Sequence, residues 1–290
     1  MAQQAAVVGQ FFHRCAVPKL PQSFALGSST MKPLLAALIF SIGLSGCSSS
    51  WKESTEIEGL FRDAEVTGTF VLLDAATGSF SGYNQSRAKT RFVPASTFKI
   101  PNSLIGLSVG AVESVDEVLP YGGQPQVIKA WEKDMGLREA ITASNVPVYQ
   151  ELARRIGTES MRKNLASLDF GNNDIGASVD RFWLDGPLEI SAIEQTEFLL
   201  RLARNQLPIS AKLQSAVREI VLLEQGEGWK LYGKTGWENA PEPGIGWWVG
   251  WVEKEDSLFT FAMNMDIHQP SDAGKRVQLG MASLKALGVL

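Results

Sequence analysis

The segment Pro94-Ala95-Ser96-Thr97-Phe98-Lys99 places a hydroxyl and an amine three residues apart, directly after a proline. At this spacing two side chains share one face of a helix, one turn apart. A serine is a weak nucleophile until a neighbouring base takes its proton, and an uncharged lysine is such a base. The N-terminal end of a helix would add free N–H groups and a positive dipole end. Ser96 and Lys99 are therefore a candidate nucleophile and base, although a lone pair at this spacing is more often a capping serine with a surface lysine.

The patterns on either side of this segment predict an α+β fold. Predicted strands are 68–74, 79–83, 229–235, 246–253 and 258–266. Predicted helices are 53–64, a helix that carries Ser96 and ends at Gly110, 137–143, 148–156, 161–168, 191–205, 210–223 and 271–287. Because hairpin strands lie at both ends of the domain, we expect one antiparallel sheet of N- and C-terminal strands, flanked by helices, with an all-helical middle region.

Two segments lack a clear helical or strand pattern. Residues 116–135 and 169–187 are predicted to be irregular, the first because it is rich in proline, glycine and tryptophan. Pro101 removes a hydrogen bond from the helix that carries Ser96, so we expect a bend or a tighter first turn there.

Residues 1–46 are predicted to be a leader that precedes a single domain, residues 47–290. Lys32 and the apolar run 33–44 match a secretory signal peptide that begins at Met31, and the run is too short for a mature bilayer span. Leu44-Ser45-Gly46-Cys47 is similar to a bacterial lipobox, in which the cysteine is lipidated. We therefore expect a periplasmic protein with a lipid anchor at Cys47. Met1 and Met31 both remain open as the start.

Composition excludes several classes of protein. The net charge of −4 disfavours nucleic acid as a partner. The cysteines, Cys15 and Cys47, lie in or next to the leader, so the domain has no candidate thiol nucleophile or thiolate metal site. The histidines are His13 and His268, which disfavours a Ser-His-Asp triad and a histidine-bound zinc site, and we expect no metal.

Further short motifs follow Ser96 and Lys99 in a fixed order. They are Ser144-Asn145-Val146 between two helices, Phe170-Gly171-Asn172 in a loop, a tryptophan and a leucine five residues apart (Trp183 and Leu188), and Lys234-Thr235-Gly236-Trp237 at the end of a strand. Each motif is weak alone. In this order, over nearly the whole domain, they resemble the class D, oxacillinase-type beta-lactamases of the penicillin-recognising family. Many members carry tyrosine at the position of Phe170, which weakens any role for a phenol there.

The resemblance implies a role for each of these residues. Ser96 would be acylated by the lactam, and Lys99 would be carboxylated by carbon dioxide to N6-carboxylysine and act as base. The Trp183 indole N–H would bond the carbamate, and Phe98, Val146, Phe170 and Leu184 are the right residue types for a dry pocket. No other cofactor is implied.

The same resemblance assigns the remaining polar groups. The backbone N–H groups of Ser96 and Trp237 would form the oxyanion hole, and Ser144 with Lys234 would pass a proton to the lactam nitrogen. Thr235, Gly236 and an arginine would hold the substrate carboxylate. Arg276 on the last helix is our choice, with Lys275 as its rival, because a guanidinium binds a carboxylate with two bonds.

The expected function is hydrolysis of penicillin-type lactams, which confers antibiotic resistance, with the lactam as the only partner implied. A penicillin-binding DD-peptidase and a lactam-sensing domain share the serine, lysine and KTG motifs but turn lactams over slowly. Apolar Val146 and Trp183 near Lys99 argue against the first. Substrate breadth and oligomeric state are left open by the sequence.

Overall fold

The computed structural model describes residues 50–240 and 242–290. The strands are β1 (Trp51–Glu53), β2 (Gly68–Asp74), β3 (Phe80–Tyr83), β4 (Arg91–Phe92), β5 (Ile190–Ser191), β6 (Leu222–Gly226), β7 (Trp229–Glu238), β8 (Gly244–Lys254) and β9 (Ser257–Ile267). The helices are α1 (Thr55–Asp63), α2 (Gln85–Lys89), α3 (Lys99–Ser108), α4 (Leu137–Thr142), α5 (Val146–Ile156), α6 (Thr158–Leu168), α7 (Ala192–Ala203), α8 (Ala211–Ile220) and α9 (Lys275–Ala286). Short 3-10 turns cover Ala95–Phe98, Lys129–Trp131 and Pro270–Gly274.

One sheet joins the two ends of the domain, as the sequence predicts. Its order is β1-β3-β2-β9-β8-β7-β6, and β2 pairs antiparallel with β9, for example Val71 with Ala262. All of its ladders are antiparallel except β1 with β3, which is parallel. β4 and β5 form a second, two-stranded sheet. The predicted α+β class is therefore confirmed.

Apolar side chains pack on both faces of the sheet. The larger core lies between one face and the helical region, and it includes Phe98, Tyr149, Trp183 and Trp247. The smaller core, with Phe61 and Trp248 among its members, packs α1 and α9 against the opposite face. Since both faces are covered, the central strand β8 is buried over Gly244–Val252, and its sequence is a nearly continuous apolar run.

The segment that carries Ser96 is a 3-10 turn that leads directly into α3. Pro101 is the third residue of α3, where a backbone N–H would lack a partner within the helix. The proline therefore costs the helix no hydrogen bond, and the expected tighter turn lies just before it.

Some predicted boundaries were wrong. The predicted helix 210–223 ends at Ile220, and Leu222–Gly226 is strand β6, paired with β7. The predicted helix 271–287 begins with a 3-10 turn. Strands β1, β4 and β5 and helix α2 were not predicted, because segments of two to five residues carry too little periodicity.

Within the part of the chain that the structure describes, no helix is both long enough and apolar enough to cross a bilayer. The predicted leader, residues 1–46, and Cys47 lie outside the described residues.

Candidate active site

Ser96 and Lys99 are in direct contact. The Nζ atom of Lys99 lies 2.9 Å from Oγ of Ser96. The preceding Ala95 has a φ of 47°, in the left-handed region that non-glycine residues rarely adopt. The backbone therefore turns sharply just before Ser96. Nucleophile and candidate base are thus within hydrogen-bonding distance before any substrate arrives.

Lys99 is fully buried, which is rare for a lysine without a carboxylate partner. Burial lowers the pKa of its amine well below the ordinary value, and the nearby charge of Lys234 lowers it further. Desolvation disfavours the ammonium and so favours the uncharged amine. This is the form that a base, or a carbamate-forming amine, requires.

Phe98, which directly precedes Lys99, belongs to a cluster of buried aromatic side chains. Phe98 stacks on Trp183 with ring centroids 5.3 Å apart, and it meets Phe170 and Phe182 edge to face at 5.8 and 5.0 Å. Phe98, Phe170, Phe182 and Trp183 are all buried. The predicted pocket residues Phe98, Phe170 and Trp183 therefore form one cluster.

The indole N–H of Trp183 is the unusual feature of this cluster. Its Nε1 atom is buried and has no hydrogen-bond partner among the described residues. A buried N–H without an acceptor is costly, so such a group calls for an explanation.

A second lysine–serine pair links strand β7 to the turn between α4 and α5. Nζ of Lys234 donates to Oγ of Ser144 and to the carbonyl oxygen of Thr235, both at 2.9 Å. Burial, followed by the charge of Arg276, lowers the pKa of Lys234 to about 7. Ser144 lies between α4 and α5 with a left-handed φ of 52°. Asn145 caps α5 by accepting from the N–H of Val148 at 3.0 Å, which fixes this turn against the strand.

Gly236 lets β7 approach the turn that carries Ser96. A Cβ atom at this position would lie 2.8 Å from the carbonyl oxygen of Pro94 and 3.1 Å from Cγ2 of Thr97. These distances leave no room for a side chain. The glycine of the KTG motif is therefore needed for β7 to pack against the turn that carries Ser96.

The structure also places the two candidate carboxylate-binding cations. The guanidinium of Arg276 reaches β7, where Nη1 donates to the carbonyl oxygen of Gly236 and the Nε donates to Ala273. Lys275 instead pairs with Asp272 at 3.0 Å. Arg276, and not Lys275, is thus held at the strand that carries Thr235.

The other predicted site residues lie at the margins of this group. Val146 begins α5 two residues after Ser144 and is half-buried. Leu184 is also half-buried and packs at the edge of the larger core. Trp237 is 39% exposed, which leaves an aromatic surface at the rim of the site.

Two contacts near the site were not predicted from the sequence. The Tyr149 ring centroid lies 5.2 Å from Nζ of Lys99, and its hydroxyl bonds Ser103 at 2.8 Å. Nε2 of Gln195 donates to Oγ1 of Thr97 at 2.9 Å and so fixes the turn beside Ser96. Tyr149 follows Val146 by one helical turn, a spacing that could have indicated a shared face. Gln195 is 98 residues from Thr97, and no local pattern signals that contact.

Among residues 50–240 and 242–290, no cluster of histidine, cysteine, aspartate or glutamate is arranged to hold a metal ion. The arrangement is that of a serine acyl-transfer site: a nucleophile, a buried amine, a second lysine–serine pair and a guanidinium along one strand edge.

Comparisons with known proteins give the same family. The model of the penicillin binding protein transpeptidase domain matches residues 68–281. Beta-lactamase OXA-5 of Pseudomonas aeruginosa is 39% identical over 264 residues, covering 90% of this chain and 99% of that protein. Beta-lactamase OXA-48 of Klebsiella pneumoniae is 41% identical over 244 residues, covering 84% and 92% respectively.

A solved structure shares the fold. FUS-1 (OXA-85), a class D beta-lactamase from Fusobacterium nucleatum subsp. polymorphum, superposes with a TM-score of 0.80 at 41% identity and covers 82% of this chain and 100% of its own. The resemblance on which the motifs were assigned is confirmed, and the chain belongs to the class D beta-lactamases.

Proposed function

We propose that this protein hydrolyses the ring of beta-lactam antibiotics through an acyl-enzyme on Ser96 and thereby confers resistance. The observation that carries the proposal is the 2.9 Å contact between Nζ of Lys99 and Oγ of Ser96, in a pocket where the lysine is fully buried. Its family relatives are named beta-lactamases, which supports the same activity.

In the proposed acylation step each of these groups has one role. Lys99 takes the proton of Ser96 as Oγ attacks the lactam carbonyl, and the N–H groups of Ser96 and Trp237 stabilise the oxyanion. The carbon–nitrogen bond then breaks, and Ser144 delivers a proton to the departing nitrogen while Lys234 replaces it. Loss of one oxyanion donor typically costs about 2.7–4 kcal/mol of transition-state stabilisation. Thr235, Gly236 and Arg276 hold the substrate carboxylate at the other end.

The residues around Lys99 fit a carbamate on its amine. The buried amine favours the uncharged form that reacts with carbon dioxide, and the unpartnered N–H of Trp183 is a donor for the product. Once present, a carbamate supplies a general base for the water that hydrolyses the acyl-enzyme. The reaction then requires the lactam, one water molecule for each turnover, and carbon dioxide or bicarbonate to carboxylate Lys99.

The test is hydrolysis of oxacillin and of a chromogenic cephalosporin by the full chain, with and without bicarbonate, after exposure to acid. We expect rapid turnover, its loss after acid, and recovery when bicarbonate is added. A single stoichiometric burst, with the acyl group remaining on Ser96, would instead favour a DD-peptidase or a lactam sensor.

The proposed location is the periplasm, with a lipid on Cys47. The apolar run 33–44 and the residues Leu44–Cys47 support it. Labelling with a radioactive fatty acid in a bacterial host should mark the wild type and not Cys47→Ala. If neither protein is labelled and both are recovered from the soluble periplasmic fraction, the protein is secreted to the periplasm and the proposed lipid anchor is rejected.

A further inference from the structure

The turn that presents Ser96 is buried except at the nucleophile itself. Of residues 93–100, only Ser96 is partly exposed, and the others are buried. The residue before it, Ala95, keeps a φ of 47°, a conformation that costs a non-glycine residue energy and persists only where surrounding contacts hold it. The contacts that hold this turn therefore decide where the nucleophile and its N–H point.

The two carbonyl groups just before Ala95 each accept from a donor. The carbonyl oxygen of Val93 accepts from Nε1 of Trp247 at 2.9 Å. The carbonyl oxygen of Pro94 accepts from Oγ1 of Thr97 at 2.8 Å and from the N–H of Thr97 at 3.2 Å. The Thr97 hydroxyl therefore closes the turn around the residues that lie between it and Pro94.

A side chain from a distant helix holds that hydroxyl. Gln195 lies on α7 and is 1% exposed, and its Nε2 donates to Oγ1 of Thr97 at 2.9 Å. Because the Thr97 hydroxyl donates its one proton to Pro94, its oxygen accepts from Gln195, and the hydrogen bonds run in one direction through all three residues. All three are buried, where a lost hydrogen bond leaves a polar group unsatisfied.

We propose that Gln195 is a positioning residue for acylation: through Thr97 it holds the strained turn at Ala95 and so keeps the N–H of Ser96 directed at the oxyanion. The inference rests on the proposed function, because it takes Ser96 to be acylated and its N–H to be an oxyanion donor. Without the bond from Gln195, the Thr97 hydroxyl is free to rotate away from Pro94, and Ala95 relaxes toward a negative φ. That change rotates the peptide group that carries the N–H of Ser96.

The strain at Ala95 distinguishes this role from simple stabilisation of the fold. A glycine adopts a positive φ about as readily as a negative one, so Ala95→Gly removes the strain that the contacts must hold. If Gln195 acts by holding a strained residue, its loss should matter less once the strain is gone. A residue that only stabilised the fold would have the same effect in both backgrounds.

The experiment follows acylation of Ser96 by oxacillin in the full chain, by intact mass, and gives the second-order rate constant. The wild type, Gln195→Ala, Ala95→Gly and the combination of the two form a double-mutant cycle. Thr260→Val is the matched control, because the Thr260 hydroxyl is also buried and donates to α7, at the carbonyl oxygen of Thr196, at 2.9 Å. Tm is measured for every variant.

We expect Gln195→Ala to lower the acylation constant about 10- to 100-fold, the scale for a misplaced reacting group, and by about threefold at most in the Ala95→Gly background. Thr260→Val should lower Tm and leave the acylation constant unchanged. An equal loss in both backgrounds, or a loss in Thr260→Val as large as that in Gln195→Ala, would overturn the positioning role.

Thr97 provides a second test should Gln195→Ala fail to fold. Thr97→Val removes the hydroxyl and Thr97→Ser keeps it, so only the first should slow acylation, and equal constants for the two would overturn the inference. A wild type that oxacillin does not acylate would reject the proposed function and the inference together. Acylation without turnover would reject hydrolysis alone, since the positioning role is read from the acylation step.

Discussion

The site contains two buried lysine–serine pairs, and they differ in what surrounds them. In both pairs the lysine Nζ lies 2.9 Å from a serine Oγ, and in both the lysine pKa is lowered by burial. Lys99 has aromatic neighbours and Ser96 as its hydrogen-bond partner. Lys234 also donates to the carbonyl of Thr235 and lies near Arg276. The first pair therefore lies in an apolar environment and the second on a polar strand edge.

The two environments suit the lysine side chain to two different roles. A dry environment favours the uncharged amine, which can take a proton or react with carbon dioxide. An ammonium that keeps two hydrogen bonds is better suited to hold an anion and to replace a proton. We infer that Lys99 reacts as an uncharged amine, which takes a proton or is carboxylated, whereas Lys234 acts as an ammonium, and substitutions at each pair can test this.

The largest effect is expected for Lys99→Ala. Loss of a positioned base should lower the turnover of oxacillin by about 10²–10⁴-fold, the usual range for general base catalysis. Quenched-flow mass spectrometry should show any acyl-enzyme that still forms persisting on Ser96.

The matched control for this substitution is Lys129→Ala, since Lys129 is 89% exposed in its pair with Glu132. Turnover in Lys99→Ala within a few-fold of the control would show that the amine of Lys99 is not the base.

Trp183→Phe should have the next largest effect, and mainly on deacylation. The change keeps an aromatic ring in the cluster and removes the unpartnered N–H. A hydrogen bond to a charged group is worth about 1.5–3 kcal/mol, so deacylation should slow about ten- to a hundredfold, with partial recovery in excess bicarbonate. Single-turnover measurements separate the two steps.

Trp251→Phe is the control, because its indole donates to Glu253 away from Lys99. If Trp183→Phe slowed acylation and deacylation equally, with no response to bicarbonate, the proposed hydrogen bond from the indole N–H to a carbamate would be rejected.

Arg276→Ala should raise KM for penicillins by about tenfold and change kcat little. The substrate carboxylate is present in the ground state and in the transition state, so a partly exposed guanidinium that binds it stabilises both states equally. Lys275→Ala is the matched neighbour, and its amine is engaged with Asp272. Steady-state kinetics on the two variants decide between the rival cations. A larger effect at Lys275 would reverse the assignment.

The two pairs also show what a sequence can predict. Ser96 and Lys99 are three residues apart, so helical geometry alone brings them together. Ser144 and Lys234 are 90 residues apart, and only the order of motifs in a known family suggested their contact. The paired strands β8 and β9 were predicted because each carries a long apolar run.

What the sequence did not predict depends on contacts between distant segments. Leu222 and its neighbours continue the pattern of α8, yet they form β6 because β7 offers a strand edge. Neither the bond from Gln195 to Thr97 nor the unpartnered N–H of Trp183 follows from a local pattern, since each depends on how helices pack around α3.

The smallest effect, and the most direct comparison of the two lysines, is the pH profile of kcat/KM. Lys234 has a pKa of about 7 and must be protonated to attract the substrate carboxylate, so kcat/KM should fall by about fivefold between pH 7 and pH 8. The bound anion favours the ammonium, so kcat should decline at a higher pH than kcat/KM. Lys234→Arg keeps its charge at any accessible pH, and its profile should lose the alkaline limb even if overall activity drops. An alkaline limb that persists unchanged in Lys234→Arg would assign that ionisation to another group, and the contrast between a neutral Lys99 and a charged Lys234 would fail.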